Sequence, residues 1–160
     1  MIRNIFIILF ACFFCCDNGS SFGSLASVNS KTSSCGGFKS LSKSTAYIQD
    51  SSDYCNSEKL RWQYNQNAGV LSLFHTRNLQ NCAAQLTMNA YISGKNITIE
   101  ERNSSKEDAD CLCYMDCYCE IMNIELSVVD VEIESKSYSI DLSQCLGFIV
   151  LDTTIRHPCP

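Results

Sequence analysis

The chain is poor in basic residues, in histidine and in sustained apolar runs, and each shortage removes a class of function. It carries 12 Lys and Arg against 17 Asp and Glu, a net charge of −5, and its cations are scattered. The clustered positive field that nucleic acid or an anionic membrane surface requires is therefore missing. Its two histidines are His75, beside Phe74 in a strand-like stretch, and His157, beside Pro158. Both positions read as surface or satisfied histidines rather than ligands. No G-x-S-x-G, phosphate-binding loop or H-E-x-x-H occurs. Beyond the first 16 residues no C-x-x-C stands where it could open a helix and lower a thiol pKa. No stretch places apolar residues at i, i+3, i+4 and i+7 between caps, so helix content should be low. There is no internal repeat. These absences lead to the expectation of a protein that acts by binding or by structure and is not an enzyme.

What is present begins with a leader. Arg3 precedes an apolar run from Ile5 to Phe14 that is too short to cross a bilayer but suits the central region of a secretory signal. The run ends in Cys15-Cys16-Asp17. A cysteine directly after such a run, followed by a polar stretch, is the pattern of a bacterial lipoprotein processing site, at which the cysteine becomes acylated. Cys16 is the first choice for lipidation, with Cys12 and Cys15 as alternatives; Leu9-Phe10-Ala11-Cys12 has the better small-residue pattern but leaves a very short signal. An ordinary cleaved signal is the competing reading. Residues 17–44 hold ten serines and four glycines, a composition that reads as a disordered tether. The expected organisation is a lipoprotein-type signal peptide over 1–16, a tether over 17–44 and a β domain over 45–160. The expected location is the cell envelope, anchored to the outer membrane through lipid, with secretion as the alternative.

Period two dominates the rest. Leu60, Trp62 and Tyr64 alternate with Lys59, Arg61 and Gln63, and a turn cluster at 65–69 leads into Val70 to Thr76, so 59–76 reads as a hairpin. Leu86, Met88, Ala90 and Ile92 share one face of a second hairpin that turns at Ser93-Gly94-Lys95-Asn96 and returns through Ile97 and Ile99. After a polar loop over 103–108 come a cysteine-rich stretch, a strand within Glu125 to Ser135 carrying Leu126, Val128, Val131 and Ile133, then Tyr138 to Leu142 and Phe148 to Asp152. Short strands between polar turns make an all-β fold, an antiparallel β-sandwich first and an open barrel second.

Asn81-Cys82, Ile97-Thr98-Ile99-Glu100-Glu101, Cys111-Leu112-Cys113-Tyr114-Met115-Asp116, Glu120-Ile121 and Tyr138-Ser139-Ile140 form a series. It resembles a group of small uncharacterised lipoproteins of Bacteroidetes-type bacteria, over residues 58 to 142. This chain departs from the group's pattern at Ala83, where a second cysteine often follows the first, and at Cys117 and Cys119, where apolar or aromatic residues are usual. The resemblance implies a β-rich, lipid-anchored envelope protein and supplies no activity.

The cysteines carry the remaining chemistry. Downstream of Cys16 there are nine: Cys35, Cys55, Cys82, Cys111, Cys113, Cys117, Cys119, Cys145 and Cys159. Nine is odd, so in an oxidising compartment at least one is free, metal-bound or paired between molecules. Cys111, Cys113, Cys117 and Cys119 lie within nine residues. On one continuous strand all four face the same side. With Tyr114-Met115-Asp116 as a turn they converge at a hairpin mouth, a geometry that suits four thiolates around Zn or Cu. Disulfides rank ahead of that metal site, and free core cysteine comes third. A Cys111–Cys113 bridge is disfavoured because alternate residues on a strand stand about 6.6 Å apart; bridges from the block to Cys55, Cys82 or Cys145 are easier. Glu107, Asp108, Asp110 and Asp116 read as a solvated acidic run, without the spacing or glycine of a calcium loop. Sequons at Asn96 and Asn103 matter only in a eukaryotic secretory pathway.

Overall fold

The computed structural model describes residues 23–37 and 56–154. Every helix or strand in those residues is a strand: β1 (Ser24–Leu25), β2 (Ser27–Thr32), β3 (Glu58–Asn65), β4 (Val70–Asn81), β5 (Leu86–Ser93), β6 (Asn96–Asn103), β7 (Leu112–Ile121), β8 (Val128–Ile133), β9 (Lys136–Asp141) and β10 (Leu146–Asp152). They form two five-stranded sheets, in the orders β1-β5-β6-β8-β9 and β10-β3-β4-β7-β2, so the fold is an open β-sandwich. All the pairings are antiparallel except β6 with β8.

Both expected hairpins form. Lys59 pairs Thr76 across β3–β4, and Ser93 pairs Asn96 across a two-residue turn in which Gly94 takes φ 60°, a value that costs glycine little. The inward residues of each strand meet between the sheets: Leu60, Trp62, Leu71 and Leu73 from one, Met88, Ala90, Ile97 and Val131 from the other. Trp62 is accommodated only because residue 147 opposite it lacks a side chain; a Cβ on Gly147 would fall 1.9 Å from the indole Cζ2. The Tyr64 hydroxyl, buried with its ring, donates to the Ile124 carbonyl at 2.6 Å.

One expectation is corrected. The segment read as a tether is in part folded: β1 pairs β5 in one sheet, β2 pairs β7 in the other, and Ala26 between them donates its N–H to the Ala90 carbonyl at 2.8 Å. Residues 24–32 are thus a strap across both sheets. Composition concealed it because β2 is an edge strand with mostly exposed side chains, a place where Ser, Asn and Lys are tolerated. Residues 17–22 and 38–44 lie outside the described residues. In β8 the inward set is Val129, Val131 and Ile133, while Leu126 and Val128 are exposed. Leu126 precedes the strand and Val128 has the opposite parity, so the inner face of that stretch is set by Val131 and Ile133 together with Val129.

Candidate functional site

One end of the sandwich gathers polar and sulfur-bearing side chains, and a β-bulge puts them there. Along β4 the pairing with β7 runs His75↔Cys117 and then Asn78↔Met115, three residues against two, so β4 carries one extra residue. Arg77, within the bulge, has φ 67°. Its backbone N–H donates to Asp116 Oδ1 at 2.9 Å, and its guanidinium carbon lies 4.2 Å from the centre of the Tyr114 ring. The bulge resets side-chain parity. His75 points between the sheets with Leu73, and Asn78, which strict alternation would turn outward, is buried as well.

The two converge on β6. His75 Nδ1 is 2.8 Å from Glu101 Oε1 and its Nε2 is 2.6 Å from Glu58 Oε1. The Asn78 amide donates to the other Glu101 oxygen and in turn accepts from Gln80 Nε2 at 2.7 Å. His75 is fully buried. Burial alone would lower its pKa, but the charges and hydrogen bonds of Glu101 and Glu58 outweigh that and raise it to about 10. At neutral pH the ring is an imidazolium held between two carboxylates. Beyond it Asn78, Gln80 and Glu134 line both a groove of about 900 Å³, which also takes in Glu100, Glu101 and Glu132, and a hollow of about 450 Å³ that reaches Glu58 and Lys136.

The cysteine block does not act as a unit. β7 runs through it without a turn, so the hairpin-mouth arrangement is replaced by the continuous strand. Met115, Cys117, Cys119 and Ile121 face the core, with Cys113 packed at its margin. Cys82 bonds Cys111, and Cys35 bonds Cys113, with Cα separations of 5.6 and 5.4 Å. Sulfurs of Cys35, Cys82 and Cys113 lie within 4.8 Å of one another, so the two bridges stand side by side. Cys117 and Cys119 are free and buried, and Cys145 is free and exposed. Cys55, Cys159, His157 and the lipidation candidates Cys12, Cys15 and Cys16 lie outside the described residues.

Neither buried thiol is set up as a nucleophile, although Cys117 stands opposite His75. Burial foremost, then the nearby Glu101 carboxylate, pushes the Cys117 thiol well up, against a weak contact from Thr32 Oγ1. Cys119 is pushed up to about 12 by burial and by Glu101 and Glu120. The imidazole that could have taken a proton is occupied on both nitrogens. Asp116, read as part of a solvated acidic run, is buried and is the acceptor that holds the bulge. No local pattern marks the His75 constellation, since Glu58 and Glu101 come from strands 17 residues before and 26 after it.

Fold and site together define a disulfide-stapled β-sandwich with a buried imidazolium held between two half-buried carboxylates at one end. No protein-family model matches the chain, and comparison with curated proteins and with solved structures yields no significant match.

Proposed function

We propose that this is an exported, lipid-anchored protein of the cell envelope that acts by binding or by structure rather than by catalysis. The observation that carries the reading is the adjacent pair of bridges, Cys35–Cys113 and Cys82–Cys111, because disulfides form and persist in oxidising compartments and are rare elsewhere. The apolar leader ending in Cys15-Cys16 and the resemblance to envelope lipoproteins support it. So does the passivity of Cys117 and Cys119, which removes the most obvious nucleophiles. With acylation at Cys16, only six residues separate the anchor from Gly23, where the described fold begins. Six residues reach at most about 20 Å, so the domain sits close against the membrane rather than on a long leash. Metabolic labelling with a palmitate analogue tests this: wild type and Cys12→Ser should take up label and Cys16→Ser should not. An unlabelled wild type overturns the lipid anchor.

A second reading, binding of a soft metal ion (Zn or Cu) by thiolates, is favoured by the clustering of the Cys35, Cys82 and Cys113 sulfurs, with Cys111 bonded to Cys82. The ligand set is then Cys35, Cys82, Cys111 and Cys113, which keeps only two members of the 111–119 block. Native mass spectrometry before and after reduction separates the readings. Both bridges intact with no metal retained after reduction removes the thiolate site.

A further inference from the structure

We propose that Glu58, His75 and Glu134 form a site for a divalent transition-metal ion such as zinc or manganese, with Glu101 orienting the imidazole from behind. One ligand atom from each of the three residues lies within 4.8 Å of the other two. They come from three different strands or turns: Glu58 opens β3, His75 lies on β4, and Glu134 stands in the tight turn between β8 and β9. Arms of about 2.1 Å to nitrogen and oxygen put tetrahedral ligand atoms about 3.4 Å apart. An ion therefore needs the His75–Glu58 contact of 2.6 Å to open by less than about 1 Å. Glu134 is exposed and free to swing in, and the hollow it shares with Glu58 is the entry path.

Glu101 supplies the feature that separates this group from a chance gathering of acids. Metal-bound histidines commonly give their second ring N–H to a carboxylate, which fixes the tautomer and leaves the other nitrogen for the ion. His75 Nδ1 is already so engaged, and Glu101 is itself held by the Asn78 amide. Nε2 is left facing Glu58 and Glu134. The charges also ask for a cation. Three carboxylates surround one imidazolium, and of the groove's other acids Glu100 and Asp130 are already matched by Arg102 and Lys95, each at 2.8 Å. Lys136 is the cation that lines the hollow with Arg77. An ion at the triad takes the place of the proton on Nε2, and the mixed nitrogen and oxygen donors suit zinc or manganese better than copper(I). This site is independent of the thiolates and of the lipid anchor.

The test is isothermal titration of zinc chloride into the processed, fully oxidised protein after dialysis against EDTA, with exposed Cys145 capped. The expected result is one ion per chain, at least tenfold weaker binding by Glu134→Gln, and binding within twofold of wild type by Glu132→Gln and by the double variant Cys82→Ser/Cys111→Ser. Glu134 is exposed, so its variant tests ligation without endangering the fold. Absence of binding, wild-type affinity in Glu134→Gln, or loss of binding in the double cysteine variant overturns the proposal. Manganese, followed by the loss of its free-ion spin-resonance signal, provides a second readout that thiolates do not serve well; an undiminished signal likewise counts against the site.

Discussion

His75 shows how far burial and charge can pull one side chain. Its pKa rises from 6.5 to about 10 on folding, so the folded state binds the proton more tightly than the unfolded chain. The stabilisation is complete below about pH 6.5 and is lost as pH rises through about 10. Its size is on the order of 5 kcal/mol. Urea melts in chelator-containing buffer should show wild type losing most of that between pH 7 and 10, whereas His75→Gln should be weaker throughout and nearly flat over the same range. An equally steep wild-type and variant slope would assign the pH dependence elsewhere. The free thiols give a second residue-scale expectation. Cys145 is exposed and Cys117 and Cys119 are buried with raised pKa values, so a maleimide should modify one thiol of these three in the native state and the other two only on unfolding. Cys119→Ser, which places a hydroxyl in the core without a planned partner, should cost about 1–3 kcal/mol, and Cys119→Ala less.

The bulge in β4 is the element on which the site depends. Asp116 accepts the Arg77 N–H, and the extra residue this secures turns Asn78 toward Glu101. Asp116→Ala leaves a buried N–H without that acceptor and should cost about 1–3 kcal/mol, while Asp116→Asn, which keeps an oxygen there, should cost less. Chemical denaturation of the two variants measures the difference. The hairpins were legible in the sequence because Leu60, Trp62 and Tyr64, or Leu86, Met88 and Ala90, alternate with outward residues along uninterrupted strands. The bulge was not, because parity breaks only relative to a partner strand, and nothing local marks Thr76 or Arg77 as the surplus residue. The cysteines fell between these cases. A bridge from the block to Cys82 was foreseeable from the extended C-x-C spacing, but Cys35 could not be chosen while its segment read as tether. The His75 triad left no local trace, since its members share neither strand nor spacing.

At the scale of the molecule, the strap formed by β1 and β2 ties the two sheets together along one side of the sandwich. β1 covers the free edge of β5 in one sheet and β2 covers that of β7 in the other, so a single short segment protects both. Beyond β2 the chain stays attached: the Ser33 N–H donates to the Asp116 carbonyl at 2.9 Å, the Gly36 N–H to the Tyr114 carbonyl at 2.9 Å, and Cys35 closes its bridge to Cys113. That bridge spans 78 residues and can contribute about 4 kcal/mol by restricting the unfolded chain. Removal of residues 1–34 would therefore act on both sheets at once. It exposes two rows of unpaired backbone groups, on β5 and on β7, and an uncovered row is a template for another chain. The expected outcome is a lower melting temperature together with concentration-dependent self-association, whereas Cys35→Ser in the full chain should lower the melting temperature and leave the association state as in wild type, because the strap can still pair. Light scattering with thermal melts distinguishes the two effects. If the truncated protein associated no more than wild type and were as stable, the strap would be an ornament of the fold and the β domain would begin, as composition suggested, downstream of the serine-rich segment.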